Sequence, residues 1–272
     1  MAKIDPTARI ADGAVIGDEV EIGPYCIIGP EVTIGPQTRL ISHVNVAGKT
    51  TIGARCTIYP FASLGTPPQS LAWKGEITQL EIGEDCTIRE QVTMSAGTVG
   101  GGGVTRVGAR GYFMNCVHIG HDCKVGNDVI FATSATLGGH CEVGDHVFMG
   151  GLTAVHQFVR IGSQVMMGGC SGLLGDVIPY ALASGQHATL EGLNVIGMRR
   201  RGFTKERLHR VRSFYEHLFL GKGLFAERLE SARALAGEDA ANAEILAFVD
   251  SAQHRRLCFP PGEGRQRGVS TG

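Results

Sequence analysis

The sequence predicts a mainly β fold, a parallel β-helix followed by a small α-helical domain. Every sixth residue from Ile4 to Leu64 is aliphatic, and the same period resumes at Ile82 and, shifted by one residue, at Val107. The residue two positions before each of these is nearly always small or β-branched. The chain also has 40 glycines in 272 residues, about twice the usual share, which suits frequent turns.

The six-residue period does not match an α-helix and indicates coils of short strands. Each hexad supplies one strand and one turn, and three hexads close a coil of about 18 residues. Coils stack at about 4.8 Å, so the aliphatic side chains form columns inside the prism. We therefore predict a β-helix over residues 1–188.

Two interruptions of the repeat are predicted to be loops. Residues 65–79 contain two prolines and the only Trp of the chain. Residues 95–106 contain four consecutive glycines and cause the shift of phase. A glycine-rich tract of this kind predicts a flexible segment.

After the repeat, the composition changes to that of amphipathic helices. Thr204 is a candidate N-cap for a helix whose apolar residues follow one face, and further helices are predicted over 224–236 and 240–254. The helical domain is predicted to cover 189–259. The tail, 260–272, has too few apolar residues to pack and is predicted to be disordered.

Composition and charge exclude several classes of protein. The formal net charge is −1, and the basic residues are not interleaved with an aromatic stacking platform, so we expect no nucleic acid partner. No run of about 18 apolar residues occurs, so we expect no stable membrane insertion. Most of the eight cysteines fall at small interior positions, which favours a reducing compartment, and we expect the cytoplasm.

Four histidines crowd the second block of repeats: His118, His121, His140 and His156. Since a coil has about 18 residues, Gly139 lies one coil from His121, and Gln157 one coil further, all on one edge. An imidazole is a suitable base at neutral pH, and the adjacent Asp122 is the usual type of partner that orients it. A glycine N–H one coil away can stabilise an oxyanion. The pattern therefore predicts a general base, its carboxylate and an oxyanion donor.

Two other interpretations of the histidines remain open. The histidines could be incidental turn residues of a non-catalytic β-helical scaffold. A zinc site of the carbonic-anhydrase type is the other alternative, since that enzyme class also uses β-helices. His118 and His121 are three residues apart, closer than the ligand spacing of that class. We therefore predict no metal ligand.

The segments around these histidines resemble the UDP-N-acetylglucosamine O-acyltransferase family of lipid A synthesis. The matching segments are 115–123, 136–140, 150–158, 168–172, 186–189 and 199–203. The resemblance implies coils of left-handed sense and a homotrimer with its sites between subunits. It also implies transfer of a (3R)-3-hydroxyacyl group from acyl carrier protein to the 3-hydroxyl of UDP-N-acetylglucosamine. No cofactor is implied, because the carrier protein supplies the acyl thioester.

The resemblance also implies roles for individual residues. His121 would be the general base, Asp122 its orienting partner and Gly139 the oxyanion donor. Gly169 matches the position that measures acyl length, and its lack of a side chain would leave room for a longer chain. The positions that match substrate-binding residues are Gln69, Ser70, His118, His140, His156, Gln157, His187, Asn194, Arg200 and Arg201.

Three positions depart from the family pattern and concern the acceptor. Ser70 and Ala72 stand where the family usually has Asp and Lys, and Ile196 stands where it has Glu. The alternative acceptor is therefore a 3-amino analogue of the sugar, which would give an amide.

The basic stretch 199–212 is either a solvated helix face or a docking surface for the acidic carrier protein.

Overall fold

The structure is a computed structural model that describes residues 1–237, 239–252 and 255–262. Most of the chain forms a prism with three sheets as its faces. Up to residue 184, consecutive strands lie in different sheets and pair in parallel with strands one coil away, as Lys3 does with Glu21. The predicted parallel β-helix is therefore present.

The strands of the first half are β1 (Lys3–Ile4), β2 (Arg9–Ile10), β3 (Val15–Ile16), β4 (Glu21–Ile22), β5 (Ile27–Ile28), β6 (Thr33–Ile34), β7 (Arg39–Leu40), β8 (Asn45–Val46), β9 (Lys49–Ile52), β10 (Thr57–Ile58), β11 (Ser63–Thr66), β12 (Gln79–Ile82), β13 (Thr87–Ile88) and β14 (Thr93–Ser95). Those of the second half are β15 (Val104–Val107), β16 (Tyr112–Phe113), β17 (His118–Ile119), β18 (Lys124–Val125), β19 (Ile130–Phe131), β20 (Thr136–Leu137), β21 (Glu142–Val143), β22 (Phe148–Met149), β23 (Ala154–Val155), β24 (Arg160–Ile161), β25 (Met166–Met167), β26 (Gly172–Leu173), β27 (Ala181–Ser184) and β28 (Thr189–Leu193).

The three sheets define three edges of the prism. The first sheet has the order β1-β4-β7-β10-β13-β16-β19-β22-β25-β27-β28, the second β2-β5-β8-β11-β14-β17-β20-β23-β26, and the third β3-β6-β9-β12-β15-β18-β21-β24. We name each edge after the sheet whose strands lead into it. The second edge thus holds the turns that follow the strands of the second sheet.

The interior of the prism is a continuous apolar core. The second residue of nearly every two-residue strand beyond the first coil is buried, as predicted from the period. Phe113 and Phe131 stack edge to face on consecutive coils with centroids 5.4 Å apart. Because this interior is filled, the chemistry has to lie on the edges and outer faces.

Both interruptions of the repeat leave the prism at the second edge. The first loop is 67–78, after β11, and the second is 96–103, after β14, so each is shorter than predicted. The second loop has local structure that the glycines did not predict. It contains a 3₁₀ turn, Val99–Gly101, capped by the side chain of Thr98.

The C-terminal domain contains four helices: α1 (Val195–Arg200), α2 (Lys205–Leu220), α3 (Phe225–Leu235) and α4 (Ala240–Asp250). Thr204 caps α2 as predicted, whereas α1 was not predicted and α4 ends before the predicted residue 254. The first sheet continues beyond the predicted boundary at 188, because β28 pairs antiparallel with β27.

The end of the described chain returns to the prism. Asp176 bonds to the backbone of both Arg256 and Cys258, and Leu190 N–H donates to Phe259 O. Most of the tail predicted to be disordered, residues 263–272, lies outside the described residues. None of the helices in the described part of the chain is long and apolar enough to cross a membrane.

Candidate active site

The second edge carries a histidine hydrogen-bonded to the carboxylate that follows it. His121 Nδ1 lies 2.7 Å from Asp122 Oδ2. A carboxylate only accepts, so Nδ1–H donates and Nε2 carries the lone pair. The His121 side chain is 15% exposed and that of Asp122 is fully buried. The pair therefore presents one basic nitrogen at the surface and keeps its anionic partner away from water.

Asp122 stands at a corner of the coil in the left-handed region, with φ of 60°. His140 and Phe158 stand at the same corner of the next two coils, with φ of 62° and 66°. Backbone bonds join these coils, since His140 N–H donates to His121 O at 2.8 Å and Phe158 N–H to Gly139 O at 3.0 Å. The repeat therefore aligns these side chains along the edge, one residue after the predicted column of His121, Gly139 and Gln157.

Gly139 lies directly against the imidazole of His121. A Cβ at position 139 would fall 2.6 Å from His121 Cε1 and 2.8 Å from Nε2, so a side chain there would displace the ring. No group among the described residues accepts a hydrogen bond from Gly139 N–H. A base and an unused N–H donor thus lie together at this corner.

His140 completes an aromatic layer beside the pair. Its ring stacks on Phe158, with centroids 4.4 Å apart and planes 7° apart, and meets His121 edge-on at 5.0 Å. His140 Nε2 is 3.7 Å from Asp122 Oδ2, beyond a normal hydrogen bond. Stacking on Phe158 thus holds the ring of His140 in place. Unlike His121, His140 is not hydrogen-bonded to Asp122.

His118 lies on the outer face of the second sheet, below the corner. Its Nδ1 is 2.8 Å from Thr93 Oγ1. Burial, and then the charge of His121, lower the pKa of His118 from its ordinary value. His118 is therefore a neutral hydrogen-bonding group at neutral pH.

The remaining second-edge candidates are more exposed. His156 Nδ1 lies 3.1 Å from Gln157 O, and both residues are exposed. Gln69 and Ser70 lie in the loop 67–78, and the Ser70 hydroxyl accepts a long bond of 3.4 Å from Ala72 N–H within that loop. His187 is exposed in the hairpin between β27 and β28.

Asn194 and Arg201 lie at the third edge, not the second. Asn194 Oδ1 accepts from Gly197 N–H at 3.0 Å and caps α1, while its amide donates to Gln164 O at 2.8 Å. Arg201 donates to the His146 carbonyl at 3.4 Å, and burial lowers the pKa of this guanidinium. Arg200, at the end of α1, is exposed.

Gly169 lies at the first edge, in the turn after β25, and is exposed. The nearest atom to a Cβ built there would be Gly151 O, at 3.3 Å. The predicted site residues therefore occupy three different edges of one chain. A single chain therefore does not bring the groups on different edges together.

Comparisons with known proteins show the family to which the chain belongs. A family model described as "Udp N-acetylglucosamine O-acyltransferase; Domain 2" matches residues 176–258. The acyl-[acyl-carrier-protein]–UDP-N-acetylglucosamine O-acyltransferase of Azorhizobium caulinodans is 58% identical over 260 residues, covering 96% of each chain. The protein of the same name from Caulobacter vibrioides is 51% identical over 83% of this chain and 86% of its own.

A solved structure of LpxA from Acinetobacter baumannii superposes with a TM-score of 0.89. It is 40% identical, and the match covers 94% of this chain and 99% of that one. The chain belongs to the UDP-N-acetylglucosamine O-acyltransferase family. The predicted fold class, a left-handed parallel β-helix with a C-terminal helical domain, is thereby confirmed.

In this family member, three groups at the second edge also satisfy the geometry of a metal cluster. One ligand atom each from His121, Asp122 and His140 lies within 4.8 Å of the others. However, the Asp122 carboxylate already accepts from Thr98 N–H, from the Thr98 hydroxyl and from His121 Nδ1, each at 2.7 Å. Three of the roughly four acceptor sites of the carboxylate are thus occupied, which favours a histidine–carboxylate pair.

Two contributors to the site were missed from the sequence. Thr98 lies in the glycine-rich loop, and no repeat spacing relates it to Asp122. Phe158 is an exposed apolar residue whose role follows from its stacking on His140. The coil spacing from His140 to residue 158 was the signal that could have found Phe158.

Proposed function

We propose that this chain transfers a (3R)-3-hydroxyacyl group from acyl carrier protein to the 3-hydroxyl of UDP-N-acetylglucosamine, the first step of lipid A synthesis. The observation that carries the proposal is the His121–Asp122 pair, whose free Nε2 lies against Gly139. The names of the relatives support the donor and acceptor. The thioester is already activated, so the reaction requires no further cofactor.

Each group at the second edge has a step in this reaction. His121 Nε2 takes the proton of the sugar hydroxyl as the oxygen attacks the thioester carbonyl. Gly139 N–H stabilises the tetrahedral oxyanion, and Asp122 stabilises the imidazolium. As the carbon–sulfur bond breaks, the imidazolium returns the proton to the carrier thiolate. The products are the ester and the free thiol of the carrier.

The outer faces of the prism support a homotrimer. Over three successive coils the outward residues are Tyr112, Ile130 and Phe148 on the first sheet, His118, Thr136 and Ala154 on the second, and Lys124, Glu142 and Arg160 on the third. Over these three coils, only the third face is charged. The two uncharged faces differ from each other, so copies that use both pack head to tail in a closed ring.

Such a ring unites the groups that one chain keeps apart. When the second face of one chain packs on the first face of the next, the second edge of one meets the third edge of the other. His121 then faces the Asn194 and Arg201 of a neighbour, which suit a sugar nucleotide and its phosphates. The first edges converge on the axis, where the exposed corner residues Phe61 and Leu152 become covered.

The other predicted binding residues fit this composite site. Arg200 is exposed beside Arg201 and is free to pair with phosphate. Gln69, Ser70, His118, His140, His156, Gln157 and His187 are proposed to contact the substrates. Gly169, with no side chain, would leave space for the distal end of the acyl chain.

We propose that the acidic carrier protein docks on the basic stretch 199–212. Part of that stretch is already neutralised, since Arg207 and Arg210 both approach Asp239, at 3.1 and 3.7 Å. Arg200 and Arg212 remain exposed for the carrier.

A reaction that uses this carrier takes place in the cytoplasm, where we place the protein.

The test is a transfer assay with hydroxyacyl carrier proteins of different acyl lengths and with His121→Ala. We expect kcat to fall by about 10²-fold or more, as for a missing general base, with substrate KM little changed. His217→Ala, at a histidine of α2 outside the candidate site and the basic stretch, is the control and should keep wild-type turnover. A loss below tenfold for His121→Ala would contradict the proposal and favour an incidental histidine.

Two further arms of the assay address the alternatives. Turnover of the 3-amino sugar above that of the 3-hydroxy sugar would replace the ester with an amide product. That result would link the choice of acceptor to Ser70, whose hydroxyl stands where the family usually has a carboxylate. Stoichiometric zinc in active protein, with activity lost on chelation, would replace the general base with a metal site.

A further inference from the structure

The glycine-rich loop 96–103 lies directly over the Asp122 carboxylate. Thr98 N–H donates to Oδ1 and the Thr98 hydroxyl donates to Oδ2, both at 2.7 Å. The direction of the second bond is set by Gly101, whose N–H donates to Thr98 Oγ1 at 3.1 Å and so leaves the hydroxyl proton for Asp122. One residue of the loop therefore binds both oxygens of the carboxylate.

The loop also contacts the carboxylate through a glycine. A Cβ built on Gly101 would lie 2.1 Å from Asp122 Cγ and 2.3 to 2.4 Å from its two oxygens. No real side chain tolerates such distances, so only glycine leaves this space free. The neighbouring Gly100 faces open space, with nothing within 4 Å.

These contacts define the orientation of the carboxylate from two sides. The two hydrogen bonds from Thr98 fix the rotation of the carboxylate group, so that Oδ2 faces His121 Nδ1. The loop also excludes water, since the Asp122 side chain is fully buried. Asp122 N–H is held separately, by Thr105 Oγ1 at 2.8 Å.

We propose that this loop is a positioning element for the reaction, in which Thr98 orients Asp122 and Gly101 provides the space for its carboxylate. The inference rests on the proposed function, because it assigns Thr98 a role through the His121–Asp122 pair. Thr98 is a positioning residue and touches no substrate. The loop therefore acts on turnover and leaves substrate affinity unchanged.

The first experiment removes the hydroxyl while keeping side-chain volume, in Thr98→Val. We expect kcat to fall about tenfold, as for the loss of one hydrogen bond to a charged group, with both KM values within about twofold of wild type. Thr98→Ser keeps the donor and should restore turnover to within about twofold of wild type. A Thr98→Val enzyme with wild-type kcat would overturn the inference.

A double-mutant cycle with Asp122→Ala separates positioning from general support of the fold. If Thr98 acts through Asp122, Thr98→Val should have no further effect on kcat once the carboxylate is gone. An equal tenfold loss in both backgrounds would show that Thr98 acts elsewhere and overturn the inference. Wild-type turnover of Asp122→Ala itself would instead reject the His121–Asp122 pair of the proposed function, and the inference with it.

The second experiment compares adjacent glycines of the same loop. Gly101→Ala should displace the carboxylate and lower kcat at least tenfold with KM unchanged, whereas Gly100→Ala should retain wild-type kcat. Equal turnover of the two variants would contradict the role of Gly101. Because both are single-methyl additions in the same 3₁₀ turn, this comparison holds even if Thr98→Val folds poorly.

Discussion

At the scale of single residues, burial separates the roles of the histidines. His121 Nε2 has no hydrogen-bond partner among the described residues, whereas His118 is more buried and bonds to Thr93. Burial and the neighbouring His121 lower the pKa of His118. His118 is thus held neutral and suited to hydrogen bonding, while His121 can exchange a proton with substrate.

This lowered pKa predicts a pH dependence of stability that His118→Gln should reduce. Below pH 6.5, the unfolded chain binds a proton at His118 that the folded chain does not, so stability falls with falling pH until the folded pKa is reached. We expect the wild-type Tm, at fixed chain concentration, to drop more steeply between pH 7 and 5 than that of His118→Gln. Parallel curves for the two proteins would contradict this assignment.

At the scale of elements, the helical domain is joined to the prism through the guanidinium of Arg160. Arg160, on β24, pairs with Asp176 at 2.7 Å, and their side chains are only 11% and 3% exposed. The guanidinium also donates to Ser251 and stacks over Phe248, residues at the end of α4. One side chain therefore connects the third sheet to the last helix.

We expect Arg160→Gln to loosen α4. Removing one partner of a buried pair costs about 3 kcal/mol or more, because the remaining charge stays buried. Hydrogen exchange of residues 240–250 should become faster in this variant. Arg106→Gln is the matched control, since its pair with Glu81 is exposed on the same sheet and is worth below about 1 kcal/mol. Equal protection of α4 in both variants would show that Arg160 is not the connection.

At the scale of the whole molecule, the three faces of the prism have different chemistry. The charged third face pairs its own residues, as Lys124 does with Glu142 at 3.0 Å. The first face exposes apolar residues, of which Ile130 is 38% exposed. Uncharged faces of this kind are typical of surfaces that another copy covers.

Placing a charge on the first face should therefore separate the subunits. We expect Ile130→Glu to shift the protein from three chain masses to one in sedimentation equilibrium, and to lose transfer activity because the site is divided between chains. Glu142→Gln, on the third face of the same coil, should remain a trimer with normal activity. A monomeric wild-type protein, or an Ile130→Glu trimer, would contradict the proposed assembly.

Most of the fold and part of the candidate site could be predicted from the sequence, because both follow from a local period. Each aliphatic residue occupies the same position in its coil, so Phe113 and Phe131 stack as their spacing of one coil requires. The same spacing of one coil predicted that Gly139 lies beside His121. Helix α1 escaped prediction because it is too short for an amphipathic pattern, with Met198 its one buried residue.

The sequence by itself determined the β-helix, the edge that carries the histidines, and the carboxylate adjacent to the base. Only the tertiary structure decided that Thr98 binds Asp122 across 24 residues, that Arg160 reaches Ser251 across 91, and that Asn194 lies on another edge from His121. The physical reason is that the repeat positions residues at multiples of one coil, whereas contacts made by loops and by the helical domain depend on the path of the chain outside the coils.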